Sequence, residues 1–143
     1  MPHLIRDACL LVAVTVAAHA GGLTLLLRSA TRLRTPAAMG FWPVIGMLIR
    51  LALSLILIHL TEISVWALYY LWRGCLPDAE AAFYFSGVTY ATVGYGDLVL
   101  KEPWRLLAPI EGLTGILMCG LSAGFYFALV SRIFASRLPG KPE

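Results

Sequence analysis

Six consecutive residues, Thr92-Val93-Gly94-Tyr95-Gly96-Asp97, carry the most sharply defined chemistry in this chain. Glycine at alternate positions lets alternate residues adopt a left-handed backbone without a Cβ penalty. When right- and left-handed residues alternate, successive carbonyls turn to the same side. Thr92, Val93, Gly94 and Tyr95 would then present a ladder of oxygens to one axis, with the Thr92 hydroxyl innermost and Gly96 closing the run. Such a ladder can replace the water shell of a cation. Val93 and Tyr95 are expected to point their side chains backward, against whatever supports the loop.

A loop of this kind must be held at membrane depth, and the composition supplies the setting. Of 143 residues, 59% are hydrophobic and 13% charged, and the mean hydropathy is +0.80, far too apolar for an ordinary soluble domain. The net charge of +3 is accounted for by loop arginines rather than by nucleic acid binding. There is no Walker-type phosphate loop and no Ser/His/Asp arrangement. Gly94-Tyr95-Gly96 lacks the third glycine of a dinucleotide fingerprint, so no nucleotide, no cofactor and no enzymatic activity is expected. Cys9, Cys75 and Cys119 do not suggest a disulfide framework.

The apolar residues fall in three blocks. Ala8 to Leu27 is free of charge, and its 20 residues at about 1.5 Å each cross a hydrocarbon core of about 30 Å once. Arg6, this apolar run and Ala18-His19-Ala20 also resemble a signal peptide. The arginines that follow, Arg28, Arg32 and Arg34, argue for an uncleaved helix, because the next crossing must then start inside. His19 within it reads as a packed or interfacial polar residue. The second block runs from about Phe41 to Trp72, with Trp42, Tyr69, Tyr70 and Trp72 as interfacial anchors and Arg50 close enough to one end to snorkel. The third runs from Trp104 to about Phe134.

Between blocks two and three, Arg73 and Lys101 are outnumbered by Asp78, Glu80, Asp97 and Glu102, whereas the loop from Arg28 to Trp42 holds three arginines and no acid. Basic residues mark the cytoplasmic side. The N-terminus and the 92–97 segment are therefore expected outside, and the basic loop and C-terminus inside. The stretch from Pro77 to Ala91 is too short to cross and too apolar for a solvated loop, so it predicts a re-entrant helix with Pro77 in its first turn and Asp78 and Glu80 at its positive end. Two carboxylates lie within the apolar blocks, Glu62 and Glu111, where ionisable groups are costly. Glu62 shares a helix face with His59, but two ligands without a third are a weak signal of a metal site.

From about Phe41 to Phe134 the chain resembles the pore-loop potassium channels, whose filters are known by the string Thr92 to Gly96. The resemblance implies an all-α integral membrane protein. Three transmembrane helices, a re-entrant pore helix and a filter loop would assemble as a fourfold channel in the lipid bilayer. One loop per chain and a ring of four imply a homotetramer, with K+ held at Thr92, Val93, Gly94 and Tyr95. The implied organisation is an N-terminal helix and basic loop over 1–40, a pore domain over 41–134 and a short cytoplasmic tail over 135–143.

In that family Tyr84 and Phe85 match paired aromatics that form a cuff behind the filter. Here Phe85 cannot donate to Tyr95, while Tyr84 is placed to reach Asp97. Val88 stands where some relatives carry a glutamate paired with the filter aspartate, and Ala91 replaces a hydroxyl residue. One or both of Glu62 and Glu111 are expected to hydrogen-bond behind the filter in place of that missing carboxyl pair; Glu62 paired merely with His59 or with a neighbouring helix is the other reading. Gly115, and second Gly120, match an inner-helix gating hinge; close helix packing at Gly112, Gly115, Gly120 and Gly124 is the other reading. The expected function is a potassium-selective channel subunit passing K+ down its gradient. A weakly selective cation channel of the same fold and a non-conducting regulatory subunit are the alternatives. No regular arginine series marks a voltage sensor, and about nine residues after the inner helix leave no ligand-binding domain. A chain so compact points to a prokaryotic inner membrane.

Overall fold

The computed structural model describes residues 2–31 and 40–135; Arg32, Arg34, Arg137 and Lys141, on which part of the expected orientation rests, lie outside the described residues. Every regular element is helical: α1 (Pro2–Thr31), α2 (Phe41–Trp72), α3 (Ala79–Tyr90), a 3-10 turn at Trp104–Leu106, and α4 (Leu107–Ala135). Among the described residues, three helices are long and apolar enough to cross a membrane, at His3–Ser29, Phe41–Trp72 and Trp104–Ala135. The chain is an all-α, multi-pass membrane protein.

α1 begins well before the apolar run that predicts it. The reason is Asp7, only 6% exposed, which accepts from the Tyr69 hydroxyl at 2.8 Å and lies 3.5 Å from the Arg73 guanidinium. Arg73 in turn stacks over the Trp104 ring, 4.5 Å from its centroid. A carboxylate partnered in this way does not have to end the helix. Further along, Trp66 Nε1 donates to Thr15 Oγ1 at 3.0 Å, and His19 Nδ1 meets Glu62 Oε1 at 2.8 Å. Partners on α1 rise in number as those on α2 fall, which is the antiparallel register. Between membrane helices the apolar surface has no water to escape, so packing and such polar pairs hold α1 in place.

α3 is 12 residues long and spans about 18 Å, too little to cross. Its true start differs from expectation by two residues. Asp78 is the N-cap, its carboxylate accepting from the Ala81 amide at 2.8 Å, and Pro77 precedes the helix. A side-chain acceptor at the cap satisfies an amide that the first turn leaves open, and it terminates the helix more effectively than the fixed φ of proline. The core lies at this end of the bundle, with Leu11, Trp66, Tyr70, Leu76, Phe85 and Leu107 among its buried members. α2 and α4 therefore grip α3 from both sides.

Candidate functional site

The loop after α3 is tied backward by its amides. Thr92 N donates to Thr89 O at 2.9 Å, Val93 N to Val88 O at 2.8 Å and Gly94 N to the same carbonyl at 3.1 Å. The last turn of α3 has carbonyls without helical partners, and the loop amides fill them. Among the described residues, no hydrogen bond ends on the carbonyls of residues 92 to 96. The backbone alternates along the same stretch: φ is +58° at Thr92, +54° at Gly94 and +79° at Gly96, with Val93 and Tyr95 on the ordinary side. Thr92 is the only described non-glycine residue with positive φ. Its two amide neighbours, both bound to Val88 O, over-determine a conformation that costs a side-chain-bearing residue roughly 1–2 kcal/mol.

Asp97 closes the loop. It accepts from the Tyr84 hydroxyl at 2.7 Å and, through its other oxygen, from the Leu98 amide at 3.1 Å. The Tyr84 hydroxyl holds the Asp97 carboxyl below its ordinary range, and Asp97 raises the phenol in return. The expected reach of Tyr84 is thus realised, across 13 residues of chain. Phe85 takes another place. It is 3% exposed and lies edge-on against Tyr70, with centroids 5.4 Å apart, in the core between α2 and α3.

Val93 and Tyr95 are 51% and 72% exposed, and here the expectation that they pack back against α3 needs correction. The buried face of α3 is already occupied by α2 and α4, through Ala82, Phe85, Ser86 and Tyr90. Within one chain nothing is left to cover the two outward side chains.

Both intramembrane carboxylates are fully buried and both reach α3. Glu111 on α4 accepts from Ser86 Oγ at 2.5 Å and from the Tyr70 hydroxyl at 2.7 Å, so it joins three helices. Ser86 Oγ also lies 2.9 Å from the Ile63 carbonyl of α2. Glu62 on α2 accepts from the Tyr90 hydroxyl at the end of α3, pairs with His19 of α1, and lies 3.3 Å from His59 Nδ1. His59 Nδ1 is 3.0 Å from the Tyr90 oxygen as well. Glu62, His59 and Glu111 stand out in the sequence, Ser86 and Tyr90 do not, and Tyr70, expected as an interfacial anchor, is instead fully buried because its hydroxyl is taken up by Glu111. Ser86 and Tyr90 are four apart on an apolar helix, hence on one face, and that hydroxyl pair was the available signal. No comparable signal marked His19 as a partner of Glu62, since the two are 43 residues apart.

Gly115 and Gly120 separate in kind. A Cβ on Gly115 would stand 2.1 Å from the Tyr90 carbonyl oxygen, whereas one on Gly120 meets nothing within 4 Å. Gly115 is a close-approach position where α4 meets the backbone of α3.

A family model described as ion channel matches residues 56–132, more than half the chain, taking in the second half of α2, all of α3, the loop and nearly all of α4. No curated protein and no solved structure matches the chain.

Proposed function

The chain belongs to the ion channel family, and on that premise we propose that it is a potassium-selective subunit passing K+ down its electrochemical gradient. The observation that carries this reading is the loop backbone: positive φ at Thr92, Gly94 and Gly96 alone, with the loop amides drawn back to α3. Amides spent behind the loop leave the carbonyls of Thr92, Val93, Gly94 and Tyr95 for the ion. A dehydrating K+ exchanges water for these oxygens and moves on by repulsion from the next ion. The carbonyl end of α3 adds a partial negative charge that favours a cation nearby.

Four chains would complete the ring, and the exposed Val93 and Tyr95 support this, because a neighbouring subunit is what remains to cover them. The filter would face outward, with the C-terminus in the cytoplasm of a prokaryotic inner membrane. Glu62, Glu111, Tyr84, Phe85 and Asp97 would hold the filter in shape. The hinge of α4 is assigned to Gly120, since Gly115 is locked against Tyr90. A weakly selective cation channel is the second reading, favoured by Phe85 packing into the core instead of lining the filter.

The test is 86Rb+ or K+ flux into liposomes holding only the purified chain, with Na+ as competitor. Uptake blocked by K+ and not by Na+, and lost in Gly94→Ala, is expected. Equal competition by Na+ selects the weakly selective reading, and no uptake, or uptake unchanged in Gly94→Ala, overturns the proposal. Native mass spectrometry of the same sample should give four chains.

A further inference from the structure

Glu62 sits between two histidines from different helices. His19 Nδ1 is 2.8 Å from Glu62 Oε1 and His59 Nδ1 is 3.3 Å from Glu62 Oε2. One donor atom from each of the three residues lies within 4.8 Å of the others. The rings are 5.5 Å apart, and His19 and Glu62 are 1% and 0% exposed. One imidazole on Glu62 is enough to pin α1 to α2, and the second has no such role.

We propose that His19, His59 and Glu62 form a binding site for a late first-row divalent cation of the Zn2+ class, joining α1 to α2 beside the end of the pore helix. Imidazole and carboxylate are the donors such ions prefer, and three protein ligands leave the fourth tetrahedral position for water. With metal–ligand bonds of about 2.0–2.2 Å, tetrahedral ligand atoms stand roughly 3.4 Å apart. The three donor atoms, within 4.8 Å of one another, stand no more than about 1.4 Å beyond that spacing.

Charge supports the same occupant. Two neutral imidazoles, one carboxylate and a dication sum to a single positive charge, placed next to Tyr90, where α3 presents its negative end. The Tyr90 hydroxyl already donates to Glu62, the kind of outer partner that orients a ligating carboxylate. Sequence spacing supplied only His59 and Glu62; the third ligand comes from α1, the helix that lies outside the family match. The site is independent of whether the pore selects potassium.

The experiment is Co2+ titration of the detergent-purified full chain, followed by visible absorption and checked for monodispersity by gel filtration. One Co2+ per chain with tetrahedral d–d bands, no thiolate charge-transfer band and displacement by Zn2+ is expected. His59→Ala and Glu62→Gln should weaken binding more than about 10-fold, and Tyr90→Phe by about 10- to 100-fold. Glu62→Gln keeps the shape of the side chain, and His59→Ala decides the matter alone if the buried variant does not fold. Absence of binding by the folded wild-type chain, a thiolate band pointing to cysteine, or unchanged affinity in folded His59→Ala would each overturn the site.

Discussion

Gly115→Ala is the sharpest perturbation the structure offers. The added methyl would stand 2.1 Å from the Tyr90 carbonyl oxygen, 2.9 Å from its carbon and 3.1 Å from its Cα. A carbon–oxygen contact settles at about 3.3 Å, so α4 must retreat from α3 by roughly 1 Å. All three obstructing atoms are backbone, and no rotamer change relieves them. Overpacking costs about 1–3 kcal/mol, and rigid backbone puts this case at the upper end. Replacing glycine by alanine in a helix returns about 1 kcal/mol. The net loss is about 2 kcal/mol, a fall in Tm on the order of 4–8 °C. Tyr90 is two residues from Thr92, so the same shift reaches the loop and flux should fall with stability. The assay is thermal unfolding followed by intrinsic tryptophan fluorescence in detergent, paired with liposome flux. Gly120→Ala is the control: it meets nothing within 4 Å, so Tm should hold or rise while a lost hinge lowers flux. A Gly115→Ala chain that melts at or above wild type with normal flux would refute the close-approach reading.

Glu111→Ala should cost more than Glu111→Gln, because alanine strands the buried Tyr70 hydroxyl at about 1–3 kcal/mol while Ser86 keeps the Ile63 carbonyl, whereas the glutamine oxygen can still accept; Tm of the two variants checks the order. Trp66→Phe removes the donor to Thr15 while Thr15 keeps its bond to Leu11 O, so a loss of only about 1 kcal/mol is expected in the same unfolding assay. Asp97 has a depressed folded-state pKa, so its contribution is full above its ordinary value of about 4 and is lost as pH falls through the lower folded value. Tyr84→Phe removes the main cause of that depression, and the acid midpoint of flux, read from pH 6 downward, should move upward; an unmoved midpoint would separate Asp97 from acid sensitivity.

Local pattern made much of this architecture legible. The crossings of α2 and α4, the short α3 and the loop at 92–97 follow from apolar length and turn chemistry, which are properties of neighbouring residues. Boundaries were less legible where polar groups find partners far away. α1 extends past Asp7 because Tyr69 and Arg73 receive it, and α3 starts at Ala79 because Asp78 caps it. The reach of Tyr84 to Asp97 could be anticipated from a family resemblance, but the exposure of Val93 and Tyr95 could not. Whether a side chain is covered depends on what else already occupies the face it would use.

By itself the amino-acid sequence determined that the chain lives in a membrane, that its apolar blocks make three crossings, and that glycines 94 and 96 free a loop backbone to alternate. Hydropathy, length and the absent Cβ are intrinsic to each residue or to short windows, so no fold is needed to read them. Only the tertiary structure decided that Thr92 joins the alternation, that Gly115 touches the Tyr90 carbonyl, and that Glu62 gathers His19, His59 and Tyr90 from three helices. Those facts depend on helix register and on which faces meet, and register is set by many contacts at once rather than by any residue alone.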